Sequence, residues 1–202
     1  MRRGDLDPAV LLEEEFLPRV RSLQRAEFWA PALSTAVLLE HRRGHHAVAD
    51  DLIDEFIRVT EDHDTARLQF LPDVARVCAA HGRIDVLERL VSEEHRVRNE
   101  RGRRALAAAR AVLAEARGDH ADAAARYADV AHGWLRYGSI PERAEAMLGR
   151  GRCLLAIGEV DEARVALAAA RVHLEELGAA PALAEIDDLS SESADATASA
   201  SR

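Results

Sequence analysis

Apolar residues recur every three or four positions along most of the chain, which is the period of an amphipathic α-helix. Short polar segments that contain glycine or proline interrupt this pattern and mark turns. The pattern therefore predicts an all-α protein with ten helices. They are expected at residues 8–25, 29–43, 47–60, 65–81, 84–98, 103–117, 120–137, 141–157, 160–177 and 181–189.

Four glycines mark a repeat within the helical pattern. Gly44, Gly82, Gly118 and Gly158 each follow one apolar helical stretch and precede another, at spacings of 38, 36 and 40 residues. This is the period of a helix pair. Glycine closes such a helix readily because it lacks a Cβ and adopts the left-handed conformation at little cost. The sequence therefore predicts four helix-turn-helix units.

Two further positions are hydrophobic in every unit. They lie five and nine residues after the glycine. Their occupants are Ala49 and Ile53, Leu87 and Val91, Ala123 and Tyr127, and Ala163 and Leu167. The first position is small in three units of four, and the second lies one turn further along the same apolar face. We expect both to face the core, where a small side chain lets paired helices approach closely.

Proline positions and the C-terminal composition refine this organisation. Pro8, Pro31, Pro141 and Pro181 are expected in opening turns, and Pro18 and Pro72 inside helices that they would kink or split. Residues 190–202 are small and polar, which predicts disorder. The predicted domains are an N-terminal capping helix within residues 1–28, a repeat domain over 29–189 and a disordered tail over 190–202.

Composition excludes several classes of function. The chain has 27 arginines, no lysine and a formal net charge of −9, so it lacks a Walker phosphate loop and a Schiff-base lysine and is a poor candidate for binding nucleic acid. Cys78 and Cys153 lie far apart in apolar contexts, which predicts buried, reduced thiols. Without a long apolar run or a signal-peptide core, we expect a cytoplasmic protein that does not bind membranes.

Candidate chemistry is sparse. His41, His45 and His46 flank the first turn, but Gly44 interrupts the helical face that a His pair at i, i+4 would share, so solvated turn histidines are expected and no metal site. In the run from Glu61 to Asp64, we expect Asp64 to cap the next helix. No nucleophile lies beside a recognisable base. No catalytic, cofactor-binding or metal-binding residue is predicted.

Arginines are concentrated between the second and third units. This run comprises Arg96, Arg98, Arg101, Arg103 and Arg104. Guanidinium groups bind phosphate or acidic peptides in a bidentate manner, so the run is a candidate docking point. The alternative, which we favour, is a solvated loop neutralised by Glu93, Glu94 and Glu100.

Repeat geometry suggests a binding groove. Six residues before the four glycines lie Leu38, Arg76, Val112 and Arg152, a mixed apolar and cationic row on the first helix of each pair. Such a row suits an acidic amphipathic segment of another protein. The alternative is that these side chains only seal contacts between helices. Trp134 and Tyr137 are expected to close the third unit against Pro141 rather than to hold a ligand.

The segments LQFLPDVARVCAAHGRIDVLERLV and GRGRCLLAIGEVDEARVALAAA resemble the C-terminal tetratricopeptide-like region of large bacterial signalling ATPases, which include cyclase-linked ATPases and LuxR-type transcriptional activators. Gly151, Gly158 and Ala163 stand where such a repeat has its small residues and its turn. The resemblance covers residues 68–189, and 25–67 more loosely. It implies a right-handed α–α superhelix of about four helix pairs plus terminal helices.

The resemblance also implies a function. In that family the region is a sensor or scaffold arm, while the ATPase, cyclase and DNA-binding modules lie elsewhere, and none of their motifs is identified in this chain. We therefore predict a non-catalytic scaffold or adaptor, without a cofactor, that binds a protein or peptide in bacterial signalling or transcriptional regulation. The alternative is a helical arm that senses a small inducer in its groove. The sequence does not determine the oligomeric state.

Overall fold

The computed structural model describes residues 17–23, 25–92, 97 and 99–200. Within these residues the chain is all-helical and contains no strand, which confirms the predicted fold class. The helices are α1 Leu17–Leu23, α2 Ala26–Arg42, α3 His46–Val59, α4 Asp64–Ala80, α5 Ile84–Ser92, α6 Glu100–Ala116, α7 His120–Tyr137, α8 Ile140–Ala156, α9 Val160–Glu176 and α10 Ala180–Ala200. Residues 8–16 of the first predicted helix, with Pro8, lie outside the described residues.

The glycine turns form as predicted. The four glycines that define the repeat all adopt the left-handed conformation, with φ of 76°, 68°, 83° and 83° in chain order. Gly138 and Gly178, which the repeat search did not include, have the same conformation and end α7 and α9. From α2 to α9 the helix ends lie within three residues of the predicted ones, except that α5 is described only to Ser92.

The described residues divide into two compact units. One ends at Ala116 and the other begins at Arg117, so the boundary falls between α6 and α7, inside the third predicted helix pair. The sequence predicted a single repeat domain over 29–189. Local periodicity cannot reveal such a division, because α6 and α7 are each regular helices joined by a regular glycine turn. The right-handed superhelix remains a prediction.

In the first unit, the first helices of the pairs pack in succession, α2 against α4 and α4 against α6. We call these three helices the first-helix layer. The second helices α3 and α5 pack against them, and α1 packs on α2. Leu17 and Val20 of α1 are buried, and Arg21 forms a two-pronged ion pair with Glu55 of α3, with N···O distances of 2.9 and 2.5 Å.

A charged side chain lies in the interior of the first unit. Arg67 of α4 is only 2% exposed. Its Nε donates to Thr60 Oγ1 at 3.1 Å, and its Nη2 donates to the carbonyl oxygen of Ile57 at 3.0 Å. These acceptors lie at the C-terminal end of α3, where the helix dipole attracts a cation. Arg67 therefore joins the end of α3 to the start of α4.

In the second unit, α7, α8, α9 and α10 each pack against the next helix, and α10 also contacts α8. The core includes Leu148, Leu174 and Ile186, from α8, α9 and α10 respectively. Two glycines of α8, Gly149 and Gly151, have neighbouring side chains packed directly against them. A Cβ on Gly149 would lie 2.5 Å from the Tyr127 ring, and one on Gly151 would lie 2.4 Å from the Leu167 side chain.

Every predicted core position of the repeat is buried. The residues five positions after the glycines have no exposed surface, and those nine positions after are at most 5% exposed. Both cysteines are free and buried, Cys78 in α4 and Cys153 in α8. Burial raises the pKa of the Cys78 thiol to about 12.

Proline and capping positions differ from prediction in three places. Pro31 lies inside α2 rather than in its opening turn, because the helix already begins at Ala26. Pro72 lies inside α4 as expected, but α4 continues to Ala80 and is not split. Asp64 is the first residue of α4, after the cap position of His63, so it complements the helix dipole instead of capping. Pro141 and Pro181 lie in opening turns, as predicted.

The last helix also differs from prediction. It continues to Ala200, over residues for which the composition predicted disorder. Serine side chains bond back to preceding carbonyl groups, Ser190 to Ile186 at 2.7 Å and Ser193 to Ser190 at 3.0 Å, and alanine is the strongest helix former. These hydrogen bonds and the helix propensity of alanine therefore favour the helical conformation of this segment. None of the described helices has the length and apolar character needed to cross a lipid bilayer.

We expect Gly149→Ala to lower the free energy of unfolding by about 1–3 kcal/mol, because the added methyl group overlaps the Tyr127 ring in a packed interface. Urea denaturation followed by circular dichroism would measure this loss.

The matched control is Gly102→Ala, which also places a methyl group inside a helix. Its nearest neighbours are the ends of the Asn99 and Leu68 side chains at 3.3 Å, and these can move aside. A smaller loss, or a gain from alanine's helix propensity, is expected. Equal losses at the two positions would refute the tight contact at Gly149.

Candidate functional site

The residues of the predicted groove row are divided between the two compact units. Leu38, Arg76 and Val112 lie on α2, α4 and α6 of the first unit, whereas Arg152 lies on α8 of the second. Leu38 and Arg76 are half-buried and partly accessible. Val112 is only 5% exposed and belongs to the core. Leu38 and Arg76 are therefore accessible, as the groove prediction requires, whereas the burial of Val112 contradicts it.

Each helix of the first-helix layer exposes a narrow stripe along its length. The accessible stripes consist of Pro31, Thr35, Leu38 and Arg42 on α2, Gln69, Asp73, Arg76 and Ala80 on α4, and Arg103, Ala107 and Arg110 on α6. Spacings of three and four residues place the members of each stripe on one helical face. Val112 follows Arg110 by two residues, about 200° around the helix, which explains its burial.

The stripes carry mainly positive charge. They contain four arginines and one aspartate, although the whole chain has a formal net charge of −9. Arg76 pairs with Asp73 on its own helix, and Arg103 pairs with Glu100 with an N···O distance of 3.1 Å. Arg110 Nη2 donates to the carbonyl oxygen of Val91 at 3.3 Å. The stripes therefore carry more positive than negative side chains, although the same three helices also carry the accessible acidic residues Glu27, Asp64 and Glu100.

Arg152 has an intramolecular role. Its Nη1 donates to Glu185 Oε1 at 2.7 Å, which joins α8 to α10 in the second unit. The predicted arginine run is partly neutralised as expected, since Arg104 also pairs with Glu100, at 2.5 Å. Arg96, Arg98, Glu93 and Glu94 lie outside the described residues. In the second unit, Trp134 is buried and meets the half-exposed Tyr137 edge to face, with 5.6 Å between ring centroids.

Three histidines converge at the glycine turns of the first two helix pairs. His41 lies in the last turn of α2, His46 is the first residue of α3, and His81 immediately follows α4. The Nδ1 atoms of His41 and His46 each lie 2.9 Å from Nε2 of His81. One ligand nitrogen from each ring lies within 4.8 Å of the other two. Three imidazole nitrogens in this arrangement are a donor set for a transition metal.

Sequence analysis predicted that His41, His45 and His46 are solvated turn histidines, and the structure differs at His41. His46 is exposed, but His41 is half-buried and the His81 side chain is only 4% exposed. His45 takes no part in the cluster, because its Nδ1 donates to Glu40 at 2.7 Å. Burial lowers the pKa of His41, and the neighbouring His81, His46 and Arg42 lower it further. The neutral imidazole, the form that binds metals, is therefore favoured at His41.

A carboxylate orients the central ring of the cluster. Nδ1–H of His81 donates to Asp50 Oδ1 at 2.7 Å, because a carboxylate oxygen can only accept. This hydrogen bond leaves a lone pair on Nε2, the nitrogen that faces His41 and His46. Asp50 lies one turn after His46 on α3, so one helix supplies both a member of the cluster and the orienting group.

Arg83 follows Gly82 in the second turn and holds α3 in place through Asp50 and Asp54. Its Nη1 donates to the backbone carbonyl oxygen of Asp50 at 3.0 Å, and its Nη2 donates to Asp54 Oδ1 at 2.6 Å. Burial opposes the charge of Arg83, but the hydrogen bond to Asp54 and the nearby carboxylates outweigh it, so its pKa is raised. Arg83 therefore fixes α3 against the turn that carries His81.

The sequence did contain a signal for His81. Gly44 and Gly82 are equivalent positions of successive helix pairs, so residues beside them are expected to be neighbours in space. The search for i, i+4 ligands within one helix could not detect a cluster that spans two pairs. Comparison with protein-family models, curated proteins and solved structures finds no match for this chain. The resemblance to the arm of bacterial signalling ATPases therefore remains a prediction.

We expect Arg83→Leu to lower the free energy of unfolding by about 1–2 kcal/mol, because it removes two hydrogen bonds between α3 and the second turn and leaves the Asp50 carbonyl without this donor. Chemical denaturation of the two proteins would measure the difference.

Arg103→Leu is the matched control. Arg103 pairs with Glu100 one turn away on the same helix and is well exposed, so its loss is expected to change stability by less than about 0.5 kcal/mol. If both variants lose the same free energy, Arg83 is not an anchor of the turn.

Proposed function

We propose that the chain is a non-catalytic helical-repeat adaptor that binds an acidic segment of another protein on its first-helix layer. The accessible stripes are the observation that supports this proposal. Three neighbouring helices each carry a line of accessible residues at spacings of three and four positions, beside a larger buried face. Side-by-side stripes of this kind offer a continuous surface for an extended or helical partner segment.

The charge of the stripes supports an acidic partner. The stripes contain four arginines and one aspartate in a chain of formal net charge −9, although the same helices also expose acidic residues such as Glu27 and Glu100. Arginine combines a planar fork that binds carboxylates with a long apolar stem that packs against side chains. Leu38 and Pro31 add apolar surface beside these charges. An amphipathic segment with glutamate or aspartate on one face matches both properties.

The proposed biological setting is bacterial signalling or transcriptional regulation. It rests on the resemblance of residues 68–189 to the arm of signalling ATPases, and the glycine turns and buried small positions are consistent with the repeats of such an arm. As an adaptor, the chain would hold its partner by shape and by a few arginine contacts, with no reaction of its own.

Charge reversal at Arg76 tests this proposal. We expect Arg76→Glu to weaken partner binding at least tenfold, because it replaces an attraction with a repulsion at the centre of the stripes. A partner would first be captured from native bacterial lysate and identified, and its acidic segment would then be titrated as a labelled peptide by fluorescence polarisation.

Arg58→Glu provides a control with the same change in net charge. Arg58 is exposed on α3, a second helix, so its reversal is expected to leave peptide affinity unchanged. Circular dichroism would show that both variants remain folded. Equal affinity of the wild type and Arg76→Glu, or equal losses in both variants, would contradict binding at the first-helix layer. A small molecule that stabilises the chain in place of any peptide would favour the inducer-sensing alternative.

A further inference from the structure

We propose that His41, His46 and His81 form a binding site for a divalent transition-metal ion of the zinc class. This proposal is independent of partner binding by the first-helix layer. It rests on the meeting of three imidazole rings from two successive helix pairs, and on a carboxylate that already orients the central ring.

The donor set favours this class of metal. Zinc binds neutral imidazole nitrogen at about 2.0–2.1 Å, and sites with three protein ligands keep a fourth position open for water or another group. Calcium and magnesium prefer oxygen ligands, so three nitrogens select against them. His46 is exposed, which gives an ion a path to the site from solvent.

The distances are close to those of a metal site. Two nitrogens bound at about 2.05 Å in tetrahedral geometry lie roughly 3.3 Å apart. The Nδ1 atoms of His41 and His46 lie 2.9 Å from Nε2 of His81, and one ligand nitrogen of each ring lies within 4.8 Å of the other two. His81 therefore needs to separate from its two neighbours by a few tenths of an ångström, while the distance between His41 and His46 adjusts to the ion. Small rotations of the His41 and His46 side chains are sufficient, because both lie at helix ends.

The central ring is prepared for coordination. Asp50 accepts the Nδ1–H of His81 at 2.7 Å, which fixes the tautomer with a free lone pair on Nε2. A carboxylate in this position is the usual outer partner of a metal-bound histidine. Arg83 holds Asp50 by its backbone carbonyl at 3.0 Å, so the outer partner is itself anchored.

Without an ion, the three nitrogen atoms of the cluster cannot all form good hydrogen bonds with one another. His81 Nε2 has one lone pair, which would have to serve two neighbouring Nδ1–H groups at the same distance. A divalent ion accepts all three lone pairs at once and removes this conflict.

A bound ion would link the first two helix pairs. His41 and His46 flank the turn at Gly44, and His81 precedes the turn at Gly82. The ion would therefore tie together two segments that are distant in sequence, and any ligand that binds the folded state more tightly than the unfolded state raises stability.

Metal titration of the full chain, without a histidine tag and after EDTA treatment and dialysis, tests the proposal. We expect isothermal titration with zinc chloride to give one ion per chain, and Co²⁺ to give the visible absorption of a tetrahedral site. Zinc is also expected to raise the temperature of unfolding.

Three variants locate the site. His46→Gln removes an exposed ligand without leaving a cavity and is expected to weaken zinc binding at least tenfold and to abolish the thermal shift. Asp50→Asn removes the orienting carboxylate and is expected to weaken binding about 10–100-fold. His45→Gln, a histidine of the same turn outside the cluster, is expected to change affinity less than about twofold.

The proposal is overturned if the wild-type chain binds no zinc, or if His46→Gln binds as tightly as the wild type. It is also overturned if His45→Gln loses as much affinity as His46→Gln, because binding would then belong to the turn histidines in general. Far-ultraviolet circular dichroism of each variant would confirm that a loss of binding reflects a lost ligand and not unfolding.

Discussion

Close approach of helices at small residues is the constraint on which the rest of the structure depends. Aromatic side chains are few, and in three of the four helix pairs the position five residues after the glycine is a fully buried alanine, namely Ala49, Ala123 and Ala163. Gly149 and Gly151 show the limit of this packing, since neighbouring side chains occupy the space where their Cβ atoms would lie. Helix spacing in turn fixes where the turns meet, and hence where the histidines converge.

Much of the fold could be predicted because its determinants are local. A glycine that must adopt positive φ, an alanine five residues later and an apolar residue nine residues later all act within one helix pair, and they place turns and core correctly. Pro31 was misplaced because tertiary packing extends α2 by a turn beyond the residue at which the proline suggested a start. The division after Ala116 depends on contacts between pairs, which no local pattern encodes.

The candidate sites were less predictable for the same reason. The groove row used a fixed offset from each glycine, but the accessible stripe of α6 runs through Arg103, Ala107 and Arg110, and Val112 lies about 200° around the helix from Arg110. Val112 therefore points into the core, while Arg76 remains accessible. His81 was missed because its neighbours in space are 35 and 40 residues away in sequence.

The two buried cysteines have a further consequence. Each compact unit contains one of them, and neither thiol can react with a reagent until the surrounding helices separate. The rate of modification at Cys78 thus follows the opening of the first unit, and the rate at Cys153 follows that of the second. The two cysteines are therefore built-in probes of opening. Their separate rates of modification report on each unit without an added label.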